Sequence, residues 1–353
     1  MPKITVLLPT RQSELYLCET VQSVLTQTFS DFELLVVDDA STDRTLEILA
    51  SFRDGRIRVL AGPGKGLAEA LNLGLRQAGG EYIARIDADD LMTPRRLEKQ
   101  VAFMDVNQKA AVCGGWQQYF GQSTFLHAPP VSPEQCRANL LFRCDLCHST
   151  LMLRKDVFLQ NQLFYNSGYA AEDFELWTRV LDFGEIANLP EVLGYYREDG
   201  RSITSQKRER LIQQNGQIVA QTLKRNLQIR LTEDQQSYFG GWENPFYKRK
   251  NGIVRESREA AWKDLKDILW KIYERNQQVG YYQEAALLRT LDAQWNVLRY
   301  NAPFSLSMRA VSPQDLFRKR SRCAVLCRKF RSFCRNYRGF RRKYIKICKM
   351  LFG

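Results

Sequence analysis

Along the first ninety residues, short apolar runs alternate with segments whose apolar positions recur every three or four residues. Ile4 to Leu8 is an apolar-rich run closed by Pro9, the pattern of a strand buried on both faces. Leu17, Val21, Val24 and Leu25 then share one helical face. Phe32 to Val37 predicts a second strand, rich in β-branched and large apolar residues. It runs into Asp38-Asp39-Ala40-Ser41, and Ser41 with Asp43 opens a helix carrying Leu46, Leu49 and Phe52. Ile57 to Leu60 predicts a third strand, followed by a turn containing Gly62, Pro63, Gly64 and Gly66. A helix with Leu67, Leu71, Leu75 and Ala78 on one side stops at Gly79-Gly80, and Tyr82 to Ile86 predicts a fourth strand. Strands and helices alternating at this spacing predict an α/β domain with a mostly parallel sheet flanked by helices. Ligands of such sheets bind beyond the carboxyl ends of the strands. Two of those ends carry acids, Asp38-Asp39 and Asp87-Ala88-Asp89-Asp90.

The texture changes after the first two hundred residues. Leu211, Ile218, Leu223, Trp262, Leu265, Ile268, Leu269 and Ile272 predict helices, so residues 206–300 read as a helical extension of a catalytic domain over 1–205. Residues 301–315, with two prolines and several serines, read as a linker. Residues 316–353 form a tail in which Cys323, Leu326, Phe330, Phe333, Tyr337, Phe340, Tyr344, Ile347 and Leu351 recur at alternating steps of three and four. That spacing predicts a single amphipathic helix.

Charge changes how this tail reads. The chain carries a formal +13, yet 14 of its 52 basic residues and none of its 39 acidic ones lie in the tail, leaving 38 basic against 39 acidic elsewhere. A near-neutral body with a basic, aromatic-striped tail predicts contact with an anionic membrane surface. Packing as a coiled coil is the second reading, disfavoured by a single sign of charge. Nucleic acid is the third and least favoured. No apolar run approaches the roughly 20 residues that span a bilayer, and the first residues lack the signal-peptide pattern. Nine cysteines without a regular framework fit a reducing cytoplasm. The expected location is therefore the cytoplasm, peripheral on the inner face of the membrane. Cys144-Asp145-Leu146-Cys147-His148 matches the haem-attachment string, but without an export signal neither haem nor zinc is expected. The GPGKG stretch lacks the spacing and the Lys-Ser/Thr end of a phosphate-binding P-loop.

Two carboxylates one residue apart at a strand end suit a hard divalent ion that bridges to phosphate oxygens; a solvated acidic turn would look the same in isolation. Context decides between them. The stretches PTRQSELYLCETVQSVLTQTFSDFELLVVDDASTDRTLEIL and GKGLAEALNLGLRQAGGEYIARIDADDLMTPRRLEKQ are followed by HSTLMLRKDVF, AEDFELWTRV and NLPEVLGYYREDGRSIT. In this order they closely resemble glycosyltransferase family 2, over roughly residues 2 to 205. The resemblance implies a GT-A nucleotide-diphospho-sugar transferase fold followed by the helical C-terminal region. It places Pro9, Thr10 and Asp39 at the nucleotide base, Asp87 with Ala88 at the ribose, and Asp89 on a Mn²⁺ or Mg²⁺ ion at the diphosphate. It assigns Asp173 as the base that deprotonates the acceptor hydroxyl, with Glu172 as its alternative, and sets His148 and Trp177 on the acceptor side. Asp90 is expected to support the turn. Many relatives carry a His where this chain has Asp199, so Asp199 is a candidate second metal ligand. The implied activity is an inverting transfer from a UDP-sugar to a glycan or lipid-linked acceptor in lipopolysaccharide or other surface-polysaccharide synthesis. The alternatives are an inactive scaffold of the same fold and a nucleic-acid-binding protein acting through its tail.

Overall fold

A strand with no exposed face needs a neighbour on each side and a cover on each surface, and the first three apolar runs have that environment. In the computed structural model, which describes residues 1–199, 208–240 and 255–300, β1 (Ile4–Thr10) is buried along its whole length. It pairs in parallel with β2 (Phe32–Asp38) on one side and β4 (Tyr82–Arg85) on the other. β3 (Ile57–Ala61) adds in parallel to β2. Between these strands run α1 (Leu17–Leu25), α2 (Thr45–Ser51) and α3 (Leu67–Gln77), each burying an apolar face on the sheet. Ile4, Val6, Leu8, Val21, Val24, Leu34, Val36 and Leu97 belong to one core on one side of the sheet. Burying each such side chain contributes about 1.5–3 kcal/mol.

The expected mostly parallel sheet holds for this half only. The full order is β3-β2-β1-β4-β8-β6-β9-β5, and beyond β4 the sheet is mixed. β8 (Met152–Arg154) runs antiparallel to both β4 and β6 (Ala110–Gly121). β9 (Glu185–Glu198) runs parallel to β6, and β5 (Leu91–Met92) is antiparallel to β9. β7 (Leu126–His127) folds back on β6. The two long strands β6 and β9 contain irregularities that hide them from pattern reading. Their register shifts around Trp116, where Leu189 opposes Gly115 and Val192 opposes Trp116, leaving Pro190 and Glu191 outside the pairing. A bulge is where a strand tolerates proline. α4 (Arg96–Val106) and α5 (Pro133–Asn139) complete this half, with the Ser132 hydroxyl accepting from the Gln135 amide at 3.3 Å to start α5.

α6 (Lys155–Gln160) and α7 (Glu172–Val180) precede β9. Helices Arg208–Leu227, Glu233–Ser237, Arg255–Val279 and Glu284–Tyr300 follow it. The chain divides into two compact units, Met1–Thr290 and Leu291–Gly353, so most of the helical extension is continuous with the catalytic body. The Phe239 ring stacks on Phe142 at 5.4 Å, and Thr290 donates to Asn139 of α5 at 2.8 Å. The predicted linker 301–315 and basic tail 316–353 lie outside the described residues. Among the described residues, no helix is long and apolar enough to cross a membrane.

Candidate active site at the carboxyl ends of β1, β2 and β4

Strand order reverses at β1: β2 and β3 build outward on one side, and the chain then crosses to β4 on the other. Such a reversal opens a crevice beyond the carboxyl ends. β1 ends there in Pro9-Thr10, β2 in Asp38-Asp39, and β4 leads into Asp87-Ala88-Asp89-Asp90. Register pairs Thr10 with Asp38, and the Asp39 amide donates to the Thr10 carbonyl at 2.8 Å.

The adjacent acids Asp38 and Asp39 divide their work. Asp38 accepts from the Ser41 amide at 3.2 Å and so holds the turn into α2. Asp39 accepts from the Gly66 amide at 2.7 Å and the Lys65 amide at 3.2 Å, and the Arg11 guanidinium lies 3.6 Å from it. The glycine turn before α3 is therefore wrapped onto Asp39. Gly66 adopts φ +99, ψ 177, a region open essentially to glycine alone. At Gly62 a Cβ would lie 2.9 Å from the Asp38 carbonyl, so the chain can pass this close only as glycine. The Thr10 hydroxyl and one Asp38 carboxylate oxygen are buried here with no hydrogen-bond partner among the described residues. Buried polar atoms left so are costly, and a polar ligand beside them would supply partners.

Asp87, Ala88, Asp89 and Asp90 form a loop pinned from four directions. The Asp87 amide donates to the Ser149 hydroxyl at 3.1 Å, and the Thr20 hydroxyl of α1 donates to the Ala88 carbonyl at 2.9 Å. The Arg197 side chain donates to the Asp89 carbonyl at 3.0 Å. Asp90 is buried and accepts from the Arg197 amide at 3.0 Å and Gln117 at 3.3 Å. Asp90 thus ties the loop to β6 and β9, the supporting role expected of it. Beneath the loop, fully buried Arg96 donates to the carbonyls of Arg85 and Ser149, each at 2.7 Å; burial brings its guanidinium down to about 9.

Sequence reading missed Arg85. Its buried guanidinium grips both carboxylate oxygens of Asp87. The signal was available, because residues two apart on a strand point the same way. Asp89 is half-buried, and among the described residues no arginine is seen to grip it in the same way. Burial first, then the charge of Asp87 and, more weakly, that of Asp199, push its carboxyl up to about 6. Among the described residues only Arg85 is seen in an ion pair with a carboxylate of this loop, which leaves negative charge for a cation to balance. Among the described residues, no group of three His, Cys, Asp or Glu side chains converges as a metal cage. Asp89 with Asp199 fits a smaller role, one or two carboxylates on a hard ion whose other positions are filled by phosphate and water oxygens.

Across the crevice, Asp173 sits in the first turn of α7 beside Glu172. One Asp173 oxygen accepts from the Phe174 amide at 2.7 Å, and the Cys144 thiol lies 3.9 Å from the other. Burial raises the Asp173 carboxyl, against the lowering effects of that amide and of the Arg85 charge. His148 is half-buried and meets the Tyr165 hydroxyl at 2.8 Å; burial and Arg85 push it well below its usual range, so it is neutral. Asn72 of α3 bonds both the amide and the carbonyl of Tyr165, each at 2.8 Å, fixing this pair. Trp177, expected on the acceptor side, has no exposed surface. Its ring backs His148 at 5.8 Å and Tyr165 at 6.1 Å, so any influence on the crevice passes through those residues.

Comparison with known proteins agrees with this architecture. The family model "Glycosyl transferase family 2" matches residues 5–169. An uncharacterized glycosyltransferase of Haemophilus influenzae is 30% identical, over 58% of this chain and 68% of its own length. The putative glycosyltransferase EpsE of Bacillus subtilis is 35% identical, over 56% of this chain and 74% of its own. The Escherichia coli UDP-Glc:alpha-D-GlcNAc-diphosphoundecaprenol beta-1,3-glucosyltransferase WfaP is 30% identical, over 60% and 83%. Among solved structures, S. aureus TarS 1-349 in complex with UDP-GlcNAc has a TM-score of 0.56 at 20% identity, covering 84% of this chain and 87% of that one. That likeness shows the GT-A fold. With the family's motifs in order at one crevice and relatives matched over more than two thirds of their length, the chain belongs to glycosyl transferase family 2.

Proposed function

We propose that this glycosyltransferase moves a sugar from a UDP-sugar to a hydroxyl of a glycan or lipid-linked acceptor, with inversion, in surface-polysaccharide or lipopolysaccharide synthesis. The observation that carries the reading is the meeting of the Asp39 and Asp87–Asp89 strand ends in one crevice with Asp173 at a helix start beside it. The name of WfaP, a glucosyltransferase using UDP-Glc and a diphosphoundecaprenol-linked acceptor, supports the donor and acceptor classes. The O-antigen biosynthesis glycosyltransferase WbnJ of Escherichia coli, 32% identical over 51% of this chain, supports the surface-polysaccharide setting.

In this reading Thr10 and Asp39 receive the base, and Asp87, held rigid by Arg85, faces the ribose. Asp89, assisted by Asp199, would hold Mn²⁺ or Mg²⁺. When bound, that ion offsets the charge developing on the departing diphosphate. Asp173 takes the proton of the acceptor hydroxyl as its oxygen bonds to the anomeric carbon from the face opposite the breaking bond to diphosphate. Neutral His148 lines the acceptor side without adding charge. Calorimetry of the full chain with UDP, GDP and dTDP in Mn²⁺ tests the donor half. UDP is expected to bind and the other two to bind more weakly; absence of binding by all three rejects the reading.

The tail bears on location. With 14 basic residues and an apolar stripe, the segment Leu316 to Gly353 would hold the enzyme at an anionic bilayer, each basic residue adding about 1 kcal/mol near the surface. Sedimentation with phosphatidylglycerol vesicles should pellet the full chain and leave a chain truncated after Ala302 in solution. Equal pelleting of the two would reject anchoring by the tail.

A further inference from the structure

The site leaves one group of aromatic rings unexplained. Side chains alternate along a strand, so Gln117 and Tyr119 of β6 share a face, and Gln117 is the residue that reaches Asp90. Tyr119 pairs in register with Tyr196 of β9, their ring centres 4.5 Å apart. Phe125, on the loop that returns to β7, stacks on Tyr119 at 4.0 Å and an interplanar angle of 26°. His127 lies nearly parallel to Tyr119, 6.4 Å away. Phe125 nevertheless remains 47% exposed, and Leu126 beside it 46%. A ring stacked only to fill a core would be covered; this stack ends at solvent.

Its position relates it to both halves of the chemistry. Tyr196 directly precedes Arg197, whose amide donates to Asp90 at 3.0 Å and whose side chain donates to the Asp89 carbonyl at 3.0 Å. At the other end, His127 Nε2 is 2.9 Å from the Asp145 carbonyl, and the neighbouring Cys144 is the residue that meets Asp173. The rings therefore extend from the acid loop toward the loop behind the base. An acceptor whose hydroxyl reaches the space between those two points can extend along this surface. A pyranose has a face of C–H bonds that suits the electron-rich face of an aromatic ring and a rim of hydroxyls that tyrosine hydroxyls can meet.

We propose that the solvent-facing side of Phe125, backed by Tyr119 and Tyr196 stacked in a row behind it, is the platform on which a pyranose ring of the acceptor stacks. This rests on the transferase reading with Asp173 as base. The platform takes over the acceptor contact expected of Trp177, whose ring is buried beneath His148.

The test uses the full chain with UDP and Mn²⁺, probed by saturation-transfer NMR with millimolar methyl pyranosides of glucose, N-acetylglucosamine, galactose, mannose and rhamnose. At least one should receive saturation on its ring C–H protons. Tyr119→Leu and Phe125→Ala should each weaken that contact by about tenfold, the order of one lost aromatic partner. Phe125 is exposed enough for its variant to keep the wild-type circular dichroism and melting temperature, which answers any misfolding of Tyr119→Leu. No pyranoside contact in the wild type, or undiminished contact in folded Phe125→Ala, overturns the platform. So does a change of oligomeric state in Phe125→Ala without a change in sugar contact, which would make the patch a protein interface. UDP calorimetry on the same sample separates the outcomes: UDP binding without sugar contact rejects the platform alone, whereas no UDP binding rejects the transferase reading beneath it.

Discussion

Asp173→Asn is expected to lower sugar transfer by about 10²–10⁴-fold, the range for losing a positioned general base, while leaving UDP affinity near that of the wild type. The substitution keeps the shape of the side chain and an oxygen to accept from the Phe174 amide, now 2.7 Å away. What it removes is basicity. As the proposed base, the same residue should set the acid limb of the rate profile. Around Asp173 lie the Arg85 charge from β4, the Cys144 thiol from the loop before β8, Tyr165 from the loop after α6, and Glu172 on its own helix. Burial outweighs the lowering contributions, so the carboxyl titrates above its usual range. A raised carboxyl is protonated at a higher pH, and a protonated base accepts nothing. The wild-type rate should therefore fall, as pH drops, at a point above the ordinary carboxylate range. Glu172→Gln is the comparison, measured as transfer rate against pH. If it removes activity and Asp173→Asn does not, the base is Glu172 and the assignment here is wrong.

The parts of this site that could be read without a structure share one physical property. β1, β2 and β4 are covered on both faces, so their residues form near-continuous apolar runs, and acids placed at the ends of such runs stand out. β6 and β9 carry the opposite texture. Gly114-Gly115, Gln117-Gln118 and the bulged Pro190-Glu191 break alternation, because these strands border the site and serve it with polar side chains. The division of labour between Asp38 and Asp39 was also illegible, since it depends on where the Gly62–Gly66 turn folds back. Arg85 reads as an interruption in an apolar strand until its grip on Asp87 is seen. The family resemblance sets Trp177 on the acceptor side, yet a large ring on the buried face of α7 is first of all a packing element. Sequence marks which residue types gather near strand ends; tertiary packing decides which of them face the crevice.

Asp89→Asn should reduce transfer by about 10²–10³-fold, comparable to removing one fixed electrostatic contact to charge that develops in the transition state. The argument begins with its neighbours. Asp87 is occupied by Arg85 on both oxygens, and Asp90 is buried between Arg197 and Gln117. Among the described residues, Asp89 is the one of the three whose half-buried carboxylate is seen with no arginine gripping it. Its backbone is fixed by Arg197, whose guanidinium lies over the Tyr16 and Phe120 rings at 4.2 and 4.6 Å and pairs with Glu19 at 2.6 Å. The loop is therefore rigid before any ligand arrives, and the amide in Asp89→Asn should occupy the same place. Because the fold and Asp87 are untouched, the loss should appear as a weakened dependence on Mn²⁺ rather than as unfolding. Titrating Mn²⁺ against UDP binding in both proteins measures it: the wild type should bind UDP more tightly as Mn²⁺ rises, and Asp89→Asn should respond weakly or not at all. An undiminished Mn²⁺ response in the variant would move the cation to other residues, and Asp199→Asn would be the next to lose it. If both variants keep the response, the acid loop serves the sugar or the ribose and the cation is held without it.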